Sequence, residues 1–140
     1  MNVNELYKFL GEKIPSELSC EWDNDGRMCV PNGEKEVKKA LVCLDITSDA
    51  IDFAIENNVD CIISHHPLVF KAIGSVDDSS YVCKRLIKLI KNDISALSFH
   101  TRLDTVFGGV NDILANKIGL ILQNHVRTSV IPRSRCAVFI

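Results

Sequence analysis

Three short apolar runs, at residues 39–45, 60–64 and 94–99, carry no polar alternation and are too brief for buried helices. Such runs read as strands covered on both faces, the pattern of a parallel sheet. Segments with helical spacing stand between and around them. Asn4 to Leu10 places Leu6, Phe9 and Leu10 on one face. Ser48 offers an N-cap for a helix running to about Asn57, with Ile51, Ala54 and Ile55 inward. Tyr81 to Asn92 predicts a strongly amphipathic helix with Val82, Leu86, Leu89 and Ile90 inward. Gly108-Gly109 opens a last helix through about Ile118, which stops at Gly119. Residues 21–26 and 31–34 read as turns. Strand and helix alternate, so the pattern predicts an α/β fold, a three-layer domain with a largely parallel sheet.

The second apolar run leads directly into His65-His66-Pro67. Ligands of open α/β sheets gather beyond the carboxyl ends of the strands, where these imidazoles would stand. Neighbouring side chains in a strand point to opposite faces, but past the strand end both rings can address one cavity. That geometry suits two metal ions better than one. The same dipeptide also fits one surface histidine beside one hydrogen-bonded core histidine.

Composition narrows the classes. With 140 residues, 46% hydrophobic and 24% charged, the chain suits one globular domain. A net charge of −2 gives no electrostatic pull toward nucleic acid. No apolar segment approaches a membrane span, and the start of the chain has no signal-peptide pattern, so a cytoplasmic setting is expected. Six cysteines lie without a Cys-x-x-Cys pair, which argues against structural zinc and for free thiols in a reducing compartment.

The three predicted strands end in ligand-type residues: Asp45, His65 with His66, and His100 with Asp104. Parallel strands bring these ends to one sheet edge. Imidazole and carboxylate together suit zinc, iron, manganese or nickel and select none of them. Asp45 also fits a helix cap, and His100 fits a positioning role as well as direct ligation. Asp104, past the strand in a Gly-rich loop, reads as the better ligand, or as an acid flanking a helix.

The ordered segments His65-His66-Pro67-Leu68 with Phe70-Lys71, His100-Thr101 with Leu103-Asp104, and Gly108-Gly109-Val110-Asn111-Asp112 carry a resemblance. So do Trp22-Asp23-Asn24 with Gly26, and Leu44-Asp45-Ile46-Thr47. Together they are similar to the YbgI/YqfO-like (Nif-three-like) dinuclear-metal family, whose members carry the name GTP cyclohydrolase I type 2 homologue. The resemblance covers about Asn4 to Leu120, the N-terminal half of the family fold, and leaves 121–140 as an unmatched tail. It implies that His65, His66 and Asp104 are metal ligands, His66 and Asp104 on one ion and His65 on another. It implies homo-oligomers, hexameric in several members. Most relatives have asparagine where this chain has Arg102, which would put a cation beside the site. Family members are about twice this length, and their second half supplies a histidine and a bridging glutamate, so a truncated product is expected.

The resulting expectation is a divalent-metal-binding protein with hydrolase-like chemistry on a small-molecule substrate, Asp45 or His100 handling protons. The competing expectation is a non-catalytic metal-binding or scaffold protein. No nucleic-acid or membrane partner is expected.

Overall fold

A computed structural model describes residues 1–119; the predicted tail at 121–140 lies outside the described residues. The element order is α1 (Val3–Lys13), a 3-10 turn (Ser16–Leu18), β1 (Gly26–Cys29), β2 (Ala40–Cys43), α2 (Ser48–Glu56), β3 (Cys61–Ser64), α3 (Tyr81–Lys91), β4 (Ser95–Ser98), α4 (Thr101–Thr105) and α5 (Val110–Lys117). One four-stranded sheet runs β1-β4-β3-β2. The neighbours β2, β3 and β4 are mutually parallel, and β1 joins the edge of β4 antiparallel. No helix among the described residues is long and apolar enough to cross a membrane.

Strand alternation divides the core in two. Ile62 and Ala96 face a cluster with Ile51 and Ala54 of α2 and Leu86 and Leu89 of α3. Cys61, Leu97 and Phe99 face the other way, against Leu6, Tyr7 and Leu10 of α1. Helices therefore cover both faces of the central strands, as the continuous apolar runs predict. Fully burying a side chain such as Ile62 or Leu97 contributes about 1.5–3 kcal/mol, so these two strands hold the sheet edge rigidly.

Local signals explain the element ends. Asn2 and Glu5 form a reciprocal capping box at the start of α1. Helices α2 and α3 both end in an Asn cap followed by a left-handed residue, Asn58 (φ 52°) and Asp93 (φ 51°). That turn drops the chain straight into the next parallel strand. Gly109 caps α5 where a Cβ would stand 2.0 Å from the Leu103 carbonyl oxygen, so only glycine fits.

Several expectations need correction. Thr47, not Ser48, caps α2, because its hydroxyl accepts the Ala50 N–H. On α3 Leu86 and Leu89 are buried as expected and Cys83 joins them, while Ile90 is half exposed. Residues 26–29, adjoining the predicted turn, form β1, which no strand periodicity announces. Asp104 lies in the short helix α4 instead of a loop. Cys29, Cys43, Cys61 and Cys83 are free, as predicted, and burial pushes the Cys61 thiol up to about 12.

Candidate metal centre

The parallel register sets the site. Cys43, Ser64 and Ser98 stand side by side at the ends of β2, β3 and β4. Asp45, His66 and His100 each follow their strand end at the same offset. Pairing continues briefly past the strands, with His65 N–H donating to Cys43 O (3.2 Å), His66 N–H to Leu44 O (2.9 Å) and Phe99 N–H to Ser64 O (3.0 Å). Buried Ser64 and Ser98 then fix the histidine backbone, donating their hydroxyls to His66 O (2.8 Å) and His65 O (3.2 Å).

The result is a tight cluster of three imidazoles. Ring centroids lie 4.9 Å apart for His65–His66, 5.2 Å for His65–His100 and 5.6 Å for His66–His100. One ring nitrogen of each lies within 4.8 Å of the others. The adjacent histidines therefore do address one space.

Carboxylates orient two of the rings. His66 Nδ1 bonds Asp45 Oδ1 at 2.8 Å, and His100 Nδ1 bonds Asp23 Oδ1 at 2.8 Å. A carboxylate can only accept, so Nδ1 carries the proton in each ring and Nε2 is left to face a ligand. Asp23 has no exposed side-chain surface and also accepts from the Thr101 backbone N–H and hydroxyl. Burial alone would raise its pKa, but the hydrogen bonds from Thr101 and His100 outweigh burial and hold it below the ordinary 3.8. His65 differs. Its Nδ1 is buried without a hydrogen bond of normal geometry, beside the Phe99 backbone. Burial lowers its pKa below the ordinary 6.5; His66 and His100 add to that, and Asp104 opposes it. His65 is thus neutral at pH 7, and Asp104, 3.6 Å from its Nε2, is a neighbouring oxygen donor and not an ion-pair partner.

Each residue singled out from the sequence lies at this edge, but the roles divide differently. Asp45 holds His66, and His100 joins His65 and His66. Asp104 stands beside the cluster on α4, its backbone carbonyl accepting from Asn111 Nδ2. Arg102 does not put a cation at the site. It is 2% exposed, donates to Asp25 Oδ2 (2.8 Å) and the Ile14 carbonyl, and stacks on Phe99 at 4.6 Å. Asp25 neutralises it within the fold. Asp23 is the residue that reading by strand ends missed, since it lies in the turn before β1. Its signal was present only as the Trp22-Asp23-Asn24 motif. A cavity of about 590 Å³ lies between the 67–75 loop and the start of α3, and no histidine lines it.

Known proteins share this sequence and this fold. Residues 1–132 match the Duf34/NIF3 (NGG1p interacting factor 3) family model, so the match runs past Leu120. A Clostridium acetobutylicum protein named GTP cyclohydrolase 1 type 2 homolog is 38% identical over 119 residues, which cover 85% of this chain and 44% of that protein. A Staphylococcus epidermidis protein of the same name is 38% identical over 129 residues, covering 92% of this chain and 35% of the relative. The chain thus spans less than half the length of these relatives. Among solved structures, a Bacillus cereus protein related to NIF3 superposes with a TM-score of 0.81 at 34% identity, over 87% of this chain and 33% of that one. Reduced HcgD from Methanocaldococcus jannaschii gives 0.76 at 35% identity, over 83% and 46%. With the fold, the order of motifs and the sequence match in agreement, the chain belongs to the Duf34/NIF3 family.

Proposed function

We propose that this chain holds a divalent metal ion at the carboxyl ends of β3 and β4, and that the whole protein uses the site for hydrolytic chemistry on a small molecule. His65, His66 and Asp104 are the ligands this reading starts from, and the geometry adds His100 through Nε2. One observation carries it: three ring nitrogens converge within 4.8 Å while carboxylates hold the far nitrogen of two of the rings. Carboxylate–histidine pairs of this kind fix the tautomer and raise the basicity of a metal-binding imidazole. The donor set fits zinc, iron, manganese or nickel.

A bound divalent ion would supply Lewis acidity and an acidified water. The protein's own part is to orient donors and exclude competing geometry. Asp23 locks His100, Asp45 steadies His66, and Asp104 offers an oxygen on the side of His65. The second reading, metal binding without turnover, draws on ligand count: among the described residues, with Asp45 and Asp23 engaged by His66 and His100, three imidazoles and Asp104 are the donors left, a sparse set for two ions. Homo-oligomerisation and a cytoplasmic setting belong to the same proposal.

Elemental analysis after dialysis against zinc, manganese, iron or nickel tests the site. About one ion per chain should be retained and lost in His66→Ala. A chain that retains none, or retention indifferent to that change, would overturn the proposal. The relatives' name makes GTP the first substrate to try. Turnover that disappears in His65→Ala supports the catalytic reading, and none at full loading supports the second.

A further inference from the structure

Beside the imidazoles stand two large aromatic side chains that the metal reading does not use. Trp22 is 58% exposed and Phe70 46% exposed. They meet each other edge-on, with centroids 6.2 Å apart and planes at 66°. Each also meets His100 edge-on at 6.3 Å, at 79° for Trp22 and 88° for Phe70. Edge-on packing covers less of a ring face than stacking does, so broad π surface stays open next to the histidines. The two residues come from distant segments, and their relative position is fixed. Asn24 Nδ2 donates to the Val69 carbonyl at 2.6 Å, tying the turn of Trp22 to the loop of Phe70. Asp23, next to Trp22, is bonded to His100 and Thr101. An exposed aromatic pair built on such a braced frame calls for an occupant.

We propose that Trp22 and Phe70 form a stacking platform for a planar heteroaromatic ring, of nucleobase size, carried by the substrate of the adjacent centre. This deepens the metal-centre reading and rests on it for the word substrate and for the exclusion of a cationic ligand. The platform is two side chains wide, far short of the roughly 800 Å² per partner that a stable protein interface buries. A cationic ligand would satisfy the π faces too, but on the reading above it would sit against a divalent ion. A neutral flat ring avoids that repulsion, and its heteroatoms can face the histidines while its faces rest on Trp22 and Phe70. Stacking of this kind tolerates any base, so the platform fixes ring position and leaves base identity to other contacts.

Trp22 is the one tryptophan of the chain, so its emission reports the platform directly. Guanosine and adenosine are titrated into the full chain after exhaustive chelation, with ribose and choline as controls and absorbance corrected. Both nucleosides should quench Trp22 saturably and ribose should not, and choline should lose any binding once zinc is restored. Phe70→Ala should weaken nucleoside binding about tenfold, and Phe70→Tyr should restore it. No saturable quenching by either nucleoside in a chain with native far-UV circular dichroism would overturn the proposal. So would binding of choline in their place, indifference to Phe70→Ala, or emission that follows protein concentration alone. The titration is metal-free, so loss of the metal reading and loss of the platform register separately.

Discussion

The ends of β3 and β4 both present histidine, yet the two ends are built differently. At β4, His100 leans on Asp23, which is wholly covered and bonded to Thr101 as well. At β3, His66 leans on Asp45, whose side chain is about half exposed, and buried His65 Nδ1 has no full hydrogen bond. One end is a finished part of the fold. The other is held loosely enough for a ligand to complete it. An ion bridging both would thus be positioned by β4 and secured by β3, and the two ends should fail in different ways when altered.

Removing the donor at β3 should give the largest effect on binding. His66→Ala should weaken metal retention by at least a hundredfold, more than the 10–100-fold typical of a supporting partner. Its unfolding free energy should stay within about 0.5 kcal/mol of the parent, as for exposed positions. Urea unfolding beside elemental analysis checks both halves, and a large stability loss would erase the contrast. The reverse should hold at β4. Asp23→Ala strips His100 Nδ1 and Thr101 N–H of a buried acceptor and should cost about 3 kcal/mol of stability, read from the same urea curves.

Asp45→Asn should weaken metal affinity by about tenfold with little change in stability, since Asp45 supports His66 from an exposed position. Isothermal titration with zinc measures it; an unchanged affinity would mean that Asp45 does not orient the ring. The smallest effect is an acid limb. Asp23 has a lowered pKa in the fold, so its contribution is present above the ordinary 3.8 and is lost as pH falls through the lower folded value. Stability of the parent should drop below about pH 4 more steeply than that of Asp23→Ala. Parallel acid limbs in the two proteins would remove Asp23 as the cause.

Much of this was legible from local sequence, because local physics dictates it. The runs at 60–64 and 94–99 became central strands since no charged residue lies within Cys61–Ser64 or Ser95–Ser98 and their serines are small enough to bury. Strand ends then placed Asp45, His66 and His100 together with no long-range information. Strand β1 escaped detection because it is an edge strand of mixed burial, set by pairing with β4 and irregular between Arg27 and Cys29. Asp23 escaped with it, for its role depends on that pairing bringing the preceding turn over Thr101. Arg102 was misplaced for the same reason. Its partner Asp25 also lies in that segment, and only the folded chain shows the charge turned inward onto Asp25 and Phe99.

On the proposed function, His65, His66 and His100 turn ring nitrogens onto one ion while Asp45 and Asp23 keep the Nδ1 protons of His66 and His100. Long-range proton–nitrogen correlation spectra of the histidine rings, recorded during a zinc titration, test it most directly. Nε2 of His66 and His100 and one nitrogen of His65 should shift together and saturate at the same equivalent, with Nδ1 of His66 and His100 still protonated. Rings that shift independently, or an Nδ1 of His66 or His100 that takes the metal, would contradict it.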